Sequence, residues 1–335
     1  MAIDNLSSIK PNHYPWQAQT WSRVNAALTR LPHGLLLHGV PGTGKVAFAK
    51  HLAYQLLCQA PTDAGACGSC KSCLLLAAGN HPDLVLVEPE SAGKAIVVDQ
   101  IRALTEFLYY RPHIAQRKVT VIAPAEAMNM NAGNSLLKIL EEPPLGSLIL
   151  LVSHNPSMLS ATVRSRCTRI SFNLPAPAQA LAWLTQQTVT SEPDTLLKLA
   201  AGAPLNALLL DQDGFLQQRE QLLLDMEQLA QRSVGVSSCA ERWKKTGTLT
   251  CLEWLQSMVG DLIKHLMGSP IGNLRNADKI ERLQALVKQL NLKKLYGFLD
   301  TINEARRALS GPIDEQLLLE DLLIRWHRLA VLRQS

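Results

Sequence analysis

The sequence predicts an α/β protein, with a parallel sheet in its first half and helices only in its second half. Strand-like and helix-like segments alternate between residues 34 and 172, the pattern of a sheet covered by helices on both faces. A glycine-rich loop joins the first strand to a helix, and four closely spaced cysteines follow that helix. A chain of 335 residues is long for one domain. We therefore predict three domains, at residues 1–173, 174–212 and 213–335.

Each predicted strand is a short apolar run, and each predicted helix repeats apolar residues three or four positions apart. Residues 17–31 come first and place Trp21, Val24 and Leu28 on one helical face, a spacing typical of core packing. A continuous apolar run such as residues 118–122 is typical of a buried parallel strand. The predicted strands cover residues 34–38, 83–88, 118–122, 148–152 and 168–172, and the helices among them cover residues 47–53, 98–110 and 134–142.

The loop after the first strand reads Gly39-Val40-Pro41-Gly42-Thr43-Gly44-Lys45. It matches the P-loop pattern G-x-x-x-x-G-K, with a strand before it and a helix after it, as a P-loop requires. In a P-loop, backbone N–H groups surround phosphate oxygens and the lysine supplies a positive charge. The predicted nucleotide-binding residues are Gly39, Gly42, Thr43, Gly44 and Lys45.

Groups that a P-loop ATPase needs for hydrolysis are missing from this sequence. The position after the lysine normally offers a hydroxyl to Mg²⁺, but here it is Val46. The strand at residues 118–122 would normally end in Asp-Glu, which hold Mg²⁺ and orient the attacking water, but Ala123 and Pro124 follow here. Two states of the loop stay open: it binds ATP, ADP or phosphate without hydrolysis, or it is folded and empty.

Four cysteines form the second strong signal: Cys58, Cys67, Cys70 and Cys73. Their spacing, C-x8-C-x2-C-x2-C, allows four thiolates to surround one Zn²⁺ tetrahedrally. Such clusters in a reducing compartment are more often metal sites than disulfides. Four cysteine ligands leave no open position on the metal, so we expect a structural zinc. The alternative is a group of free or redox-active thiols.

The chain after residue 174 contains only helix-like segments. A proline-rich linker at residues 174–177 leads to a small helical region that ends near residue 210. About five amphipathic helices follow, and one of them repeats Leu318, Leu322, Trp326 and Leu329 on one face. We find no catalytic pattern in this half, and the simplest interpretation is a helical bundle that buries its own apolar faces.

Composition and charge narrow the possible functions. The net charge is +5 and the pI is about 8.8, without a long basic run, which favours weak binding to nucleic-acid backbones over sequence recognition. The sequence shows no secretory leader and no apolar run long enough to span a membrane. We therefore expect a cytoplasmic protein without a membrane partner.

Taken together, these motifs resemble the AAA+ clamp-loader subunits of bacterial DNA polymerase III. The resemblance covers residues 14–210 with specific motifs and continues more weakly to the end of the chain. It implies a P-loop AAA+ sheet domain with a zinc module at residues 58–73, then a helical lid, then an all-α collar domain. The residues that carry it are Gly39 to Lys45, the four cysteines, the run Asn134-Ser135-Leu136-Leu137-Lys138-Ile139-Leu140-Glu141-Glu142-Pro143-Pro144, and Ser165-Arg166-Cys167.

The resemblance also implies a role for Arg166 and a set of partners. In this family, the arginine of Ser-Arg-Cys enters the ATP site of a neighbouring subunit as an arginine finger. Five subunits, among them gamma/tau and delta, form a ring through their collars, load a sliding clamp and contact primed DNA through its backbone. Because of Val46, Ala123 and Pro124, the chain resembles the members without their own ATPase activity, and we expect neither autonomous ATPase nor polymerase activity from it.

Several alternatives remain open at this stage. Arg166 could instead pair with a local carboxylate, and its neighbours Arg164 and Arg169 could be surface charges or could contact DNA. Glu126, three residues beyond the usual aspartate position, could make the chain an active ATPase if it reached the metal site. A third possibility is a DNA-binding accessory factor that belongs to no clamp loader.

Overall fold

The computed structural model describes residues 12–91, 93–212, 214–287, 292–309 and 311–330. Its internal contacts divide the chain into two compact units, Met1–Trp183 and Leu184–Ser335. The three-domain division made from the sequence stays a prediction. Its second boundary, after residue 212, falls at Asp213, which lies outside the described residues.

A five-stranded parallel sheet lies at the centre of the first unit. The strands are β1 (Gly34–His38), β2 (Leu84–Val87), β3 (Lys118–Ile122), β4 (Ser147–Ser153) and β5 (Thr168–Ser171). Their order in the sheet is β2-β3-β4-β1-β5, so β1 lies between β4 and β5. Leu36 of β1 is opposite Leu151 on one side and Arg169 on the other. Because the strands are parallel, their carboxyl ends meet at one edge, where β1 leads into the glycine-rich loop.

Helices precede, connect and follow the strands of the first unit. They are α1 (Ala18–Ala26), α2 (Lys45–Leu57), α3 (Lys71–Ala77), α4 (Val98–Tyr109), α5 (Met130–Glu141), α6 (Ala161–Ser165) and α7 (Pro177–Leu184). Helix α5 begins earlier than the predicted start at residue 134. The reason is Asn129, whose side chain accepts a hydrogen bond of 2.8 Å from the amide of Ala132 and so caps the helix.

Apolar side chains are buried on both faces of the sheet. Leu35 and Leu37 of β1 pack on the face that contacts Phe48 of α2, whereas Leu36 faces the opposite side, with Leu136 of α5. This alternation follows from the two-residue period of a strand. It fixes α2 and α5 against opposite faces, and α2 carries the last residue of the glycine-rich loop at its start.

The second unit is helical in its described residues. Its helices are α8 (Pro193–Leu199), α9 (Pro204–Gln212), α10 (Phe215–Ala230), α11 (Val236–Thr246), α12 (Thr248–Leu266), α13 (Ile280–Val287), α14 (Leu292–Ala308) and α15 (Glu315–Ala330). Large aromatic side chains lie in its core, including Trp243, Phe298 and Trp326. The indole N–H of Trp326 donates to the carbonyl of Met226 at 3.2 Å, which satisfies its polar atom inside the core.

The predicted fold class is confirmed: a parallel sheet domain carries a four-cysteine cluster and is followed by helices. Among the described helices, none combines the length and the apolar character that crossing a lipid bilayer would require.

Candidate functional site

The glycine-rich loop has the backbone of a P-loop. It runs from the end of β1 to Lys45, the first residue of α2. Gly42 and Gly44 have φ angles of 77° and 84°, the left-handed region that favours glycine. Gly44 also lies in close contact with the first residues of the described chain, because a Cβ added there would be 2.5 Å from the ring of Tyr14. The loop therefore has the backbone conformation of a P-loop, and the ring of Tyr14 covers its last glycine, Gly44.

Lys45 points into its own loop. Its amine donates to the carbonyl oxygens of Gly39 at 2.7 Å and Val40 at 2.6 Å, and the residue is only 2% exposed. Burial lowers the pKa of Lys45 to about 8, although the negative charge of Glu126 acts in the opposite direction. The charge that would bind a phosphate is thus held by backbone carbonyls of the loop.

The segment before α1 holds the middle of the loop in place. The carbonyl of Thr43 accepts two hydrogen bonds, from the indole N–H of Trp16 at 3.1 Å and from the side-chain amide of Gln17 at 2.7 Å. Its own hydroxyl donates to the carbonyl of Val40 at 3.0 Å. The Tyr14 and Trp16 rings stack with their centroids 4.9 Å apart. Sequence reasoning missed this contact between Tyr14, Trp16 and the loop.

The three positions that lack catalytic groups lie where the sequence predicts. Val46, in the first turn of α2, packs partly buried against the sheet core. Ala123 follows β3, is 4% exposed, and donates its amide to the carbonyl of Val87 at 3.0 Å. Pro124 comes next. None of these side chains has an oxygen that could bind Mg²⁺ or activate water.

Glu126 lies at the same edge of the sheet. Its Oε1 accepts hydrogen bonds from the amides of His154 at 2.8 Å and Asn155 at 3.2 Å, just after β4. Its Oε2 is buried and has no hydrogen-bond partner among the described residues. Burial, together with the positive charge of Lys45, lowers the pKa of His154. The carboxylate therefore secures the turn after β4, and His154 is a residue of this edge that sequence reasoning missed.

Arg166 ends the short helix α6 and forms an ion pair with α5. Its Nη2 lies 2.6 Å from Oε1 of Glu141, with the arginine side chain 36% exposed and the glutamate 50% exposed. Its Nη1 donates to the carbonyl of Thr162 at 3.1 Å and lies 3.5 Å from the hydroxyl of Ser165. Arg166 therefore pairs with a local carboxylate, which is one of the alternatives left open by the sequence. The guanidinium is nevertheless accessible to a second molecule.

The four cysteines converge on one point between α2 and α3. Cys58 ends α2, Cys70 caps α3 and Cys73 lies in its first turn. Their ligand atoms all lie within 4.8 Å of one another. The Sγ–Sγ distances are 3.6 Å between Cys58 and Cys73, 3.9 Å between Cys58 and Cys70, and 3.9 Å between Cys67 and Cys73. A tetrahedral Zn²⁺ with Zn–S bonds of about 2.3 Å needs sulfurs about 3.8 Å apart. The cluster therefore fits a metal ion.

Hydrogen bonds to the sulfurs also suit a metal site. The amide of Cys67 donates to Sγ of Cys58 at 3.2 Å, and the amide of Cys73 donates to Sγ of Cys70 at 3.4 Å. The amides of Ser69 and Cys70 lower the pKa of Cys67 to about 6, which favours its thiolate. Burial raises the pKa of Cys73 to about 12, so a cation is needed to keep that sulfur ionised.

Curated relatives match this chain along nearly its whole length. DNA polymerase III subunit delta' of Pseudomonas aeruginosa is 38% identical over 319 residues, which cover 93% of this chain and 97% of the relative. The chain belongs to the DNA polymerase III delta' family. The delta' subunit of Escherichia coli is 32% identical and is matched over 93% of this chain and 94% of its own length.

Two family models match different parts of this delta' family member. The model described as DNA polymerase III, delta subunit, matches residues 16–176, and the model described as its C-terminal part matches residues 213–328. The tau/gamma subunit of Haemophilus influenzae is 35% identical over 180 residues, which cover 52% of this chain and 25% of that protein. The clamp-loader resemblance stated from the sequence motifs is confirmed as to family.

Proposed function

We propose that this chain is a clamp-loader subunit that assists ATP hydrolysis at a neighbouring subunit and hydrolyses none itself. The observation that carries the proposal is the edge of the sheet around the P-loop. Val46, Ala123 and Pro124 offer no oxygen to Mg²⁺, and the amine of Lys45 is bonded to carbonyls of its own loop. An ATPase needs both the metal and an oriented water, because its catalysis is almost entirely positioning and charge stabilisation.

The alternative of an autonomous ATPase has no support in the contacts of Glu126. One of its oxygens accepts from two backbone amides, and the other is buried. A carboxylate that binds Mg²⁺ must present an oxygen to a hydrated ion. We infer that Glu126 has a structural role. We also infer that a nucleotide would have to displace Lys45 from Gly39 and Val40 before the P-loop could hold it.

Arg166 is the residue that we assign to the chemistry of the neighbouring site. An arginine stays charged and can reach phosphate oxygens through two N–H groups, which suits a finger supplied from another subunit. Its partial exposure beside Glu141 supports this assignment, because the guanidinium is held at the surface. Arg164 lies on α6 and Arg169 on β5, and neither is needed for the proposal.

The partners that we propose are the gamma/tau and delta subunits, in a ring of five joined by the helices of the second unit. Membership of the delta' family and the similarity to a tau/gamma subunit support this assembly. The sliding clamp would be reached indirectly, through the complete loader. We place the complex in the cytoplasm with the replication machinery.

A groove between α4 and α5 supports contact with primed DNA. It has a volume of about 360 Å³ and carries the positive charges of Arg102 and Lys138. Lys138 is exposed, while Arg102 pairs with Asp99 at 2.8 Å. The amide and hydroxyl side chains of Asn131, Asn134 and Ser135 also line it, and such groups bind phosphates without reading sequence. Its lining residues are Val98, Arg102, Asn131, Asn134, Ser135 and Lys138.

For the four-cysteine cluster we propose one structural Zn²⁺. The donors are all sulfur, the spacing of the sulfurs fits a tetrahedral ion, and four protein ligands leave no position for a substrate. When bound, zinc would supply fixed geometry to the segment between α2 and α3. Cys58 and Cys73 would tie the two helices together, and Cys67 and Cys70 would close the loop.

Assembly from purified subunits tests the proposed function. The chain is mixed with the gamma/tau and delta subunits of the same organism and run on a sizing column. We expect a single complex that contains all of them and shows DNA-stimulated ATPase, and a lower rate when this chain is omitted. Separate elution of the chain, or an equal rate without it, would contradict the proposal.

A further inference from the structure

Glu141 forms an ion pair with Arg166 at the surface of the first unit. The contact between Nη2 of the arginine and Oε1 of the glutamate is 2.6 Å. The two charged groups are therefore in direct contact as an ion pair. Since the two side chains are 36% and 50% exposed, the pair adds little to the stability of the fold. Its effect is on the position of the guanidinium.

The carboxylate is mounted on a rigid support. Glu141 is the last residue of α5, and Leu140 before it is only 2% exposed. The imidazole Nε2 of His33 donates to the carbonyl of Leu140 at 2.9 Å, which ties this end of α5 to the start of β1. Pro143 and Pro144 follow and prevent the helix from continuing. The anchor of Arg166 is therefore fixed to the central sheet.

The remaining contacts leave part of the guanidinium available. A guanidinium has five N–H groups. Nη2 contacts the carboxylate of Glu141, and Nη1 donates to the carbonyl of Thr162 and lies close to the hydroxyl of Ser165. Among the described residues, Nε has no hydrogen-bond partner. Nε is therefore a donor that a phosphate oxygen of another molecule can reach.

We propose that Glu141 is the positioning residue of the arginine finger: its contact with Nη2 anchors one side of the Arg166 guanidinium and leaves Nε open to a phosphate of the neighbouring subunit. The inference rests on the proposed role of Arg166 and adds a residue to it. Without the anchor, a long side chain regains its rotamer freedom, which lowers the population of one orientation on the order of tenfold.

The test uses the reconstituted loader with Glu141→Ala in this chain. We expect the Arg166-dependent part of the DNA-stimulated ATPase rate, meaning the difference from an Arg166→Ala complex, to fall about tenfold, with KM for ATP unchanged. Glu142→Ala is the matched control, because Glu142 is the adjacent exposed carboxylate, and it should leave the rate unchanged. Glu141→Gln, which keeps an oxygen for Nη2, should lie between the two.

The double variant separates positioning from a general structural effect. If Glu141 acts through Arg166, Glu141→Ala changes nothing further in an Arg166→Ala background. An unaltered rate for Glu141→Ala alone, or an effect that multiplies with that of Arg166→Ala, would overturn the inference and leave the finger intact. An unaltered rate for Arg166→Ala alone would instead overturn the proposed function. Equal melting temperatures of the variants exclude misfolding as the cause.

Discussion

Replacing Arg166 with alanine is expected to slow ATP hydrolysis at the neighbouring subunit by roughly 10³-fold or more, the effect of losing an arginine finger. The reason is that the charge developing on the transferred phosphate would lose its only contribution from this chain. The change is made in the complete loader with gamma/tau and delta, and both DNA-stimulated ATPase and clamp loading on primed DNA are measured. ATP binding to the complex should change much less than the rate, since the finger acts in the transition state.

Two further variants make the Arg166 experiment specific. Arg166→Lys keeps the positive charge but lacks the planar fork, so the rate should stay low. Arg111→Ala removes an exposed arginine after α4 and should leave the rate unchanged. Unchanged ATPase and unchanged clamp loading with Arg166→Ala would show that the guanidinium has only the local role seen beside Glu141.

Loss of the proposed zinc is expected to unfold the segment between α2 and α3 and to destabilise the sheet domain. Zinc binding to small cysteine modules contributes roughly 10 kcal/mol at neutral pH. If only about 3 kcal/mol of this binding free energy contributes to the stability of the first unit, its loss lowers the melting temperature by roughly 10 °C. Cys73→Ser should show this fall together with loss of the metal, measured by thermal unfolding and by elemental analysis.

The controls for the zinc prediction separate the metal from the side-chain change. Cys167→Ala removes a buried cysteine of the same unit that is outside the cluster, and this variant should retain one zinc per chain. A strong chelator added to the unmodified protein should reproduce the lowered melting temperature of Cys73→Ser. Less than about half an equivalent of zinc in the gently purified protein would contradict a four-thiolate site.

Features that depend on residues close together in the sequence could be predicted from the sequence. The apolar runs at Gly34–His38 and Lys118–Ile122 gave two strands with the observed bounds, because a buried parallel strand is apolar throughout. The cysteine cluster was equally clear, since the spacing of Cys67, Cys70 and Cys73 brings their sulfurs together in one turn and the start of a helix. Helix α5 begins at Met130, before the predicted residue 134, because the side chain of Asn129 caps it there.

Contacts between distant residues could not be predicted in the same way. Trp16 and Gln17 reach the carbonyl of Thr43 across 27 and 26 positions, and this pairing exists only once α1 has packed on the sheet domain. Glu141 and Arg166 likewise meet because α5 and α6 pack together. The sequence predicts that Arg166 either pairs with a local carboxylate or enters the ATP site of a neighbouring subunit. The structure shows the pair with Glu141. The guanidinium has further donors, so this pair is compatible with a contact to a neighbouring subunit.

Polar groups at the P-loop edge have partners within the chain. Lys45 satisfies its amine with Gly39 and Val40, and Glu126 satisfies one oxygen with the turn after β4. Polar groups that an active enzyme would direct at nucleotide and metal are here used to hold the loop and the turn. Oε2 of Glu126 and the hydroxyl of Ser153, at the end of β4, are buried at this edge without a partner among the described residues.

The most direct test of this account is the rate of phosphate release by the purified chain alone, with saturating ATP, Mg²⁺ and primed DNA. We predict a rate indistinguishable from that of the Lys45→Ala variant, because neither protein can hold the metal or orient water. ATP turnover by the isolated chain that disappears in Lys45→Ala would contradict the account.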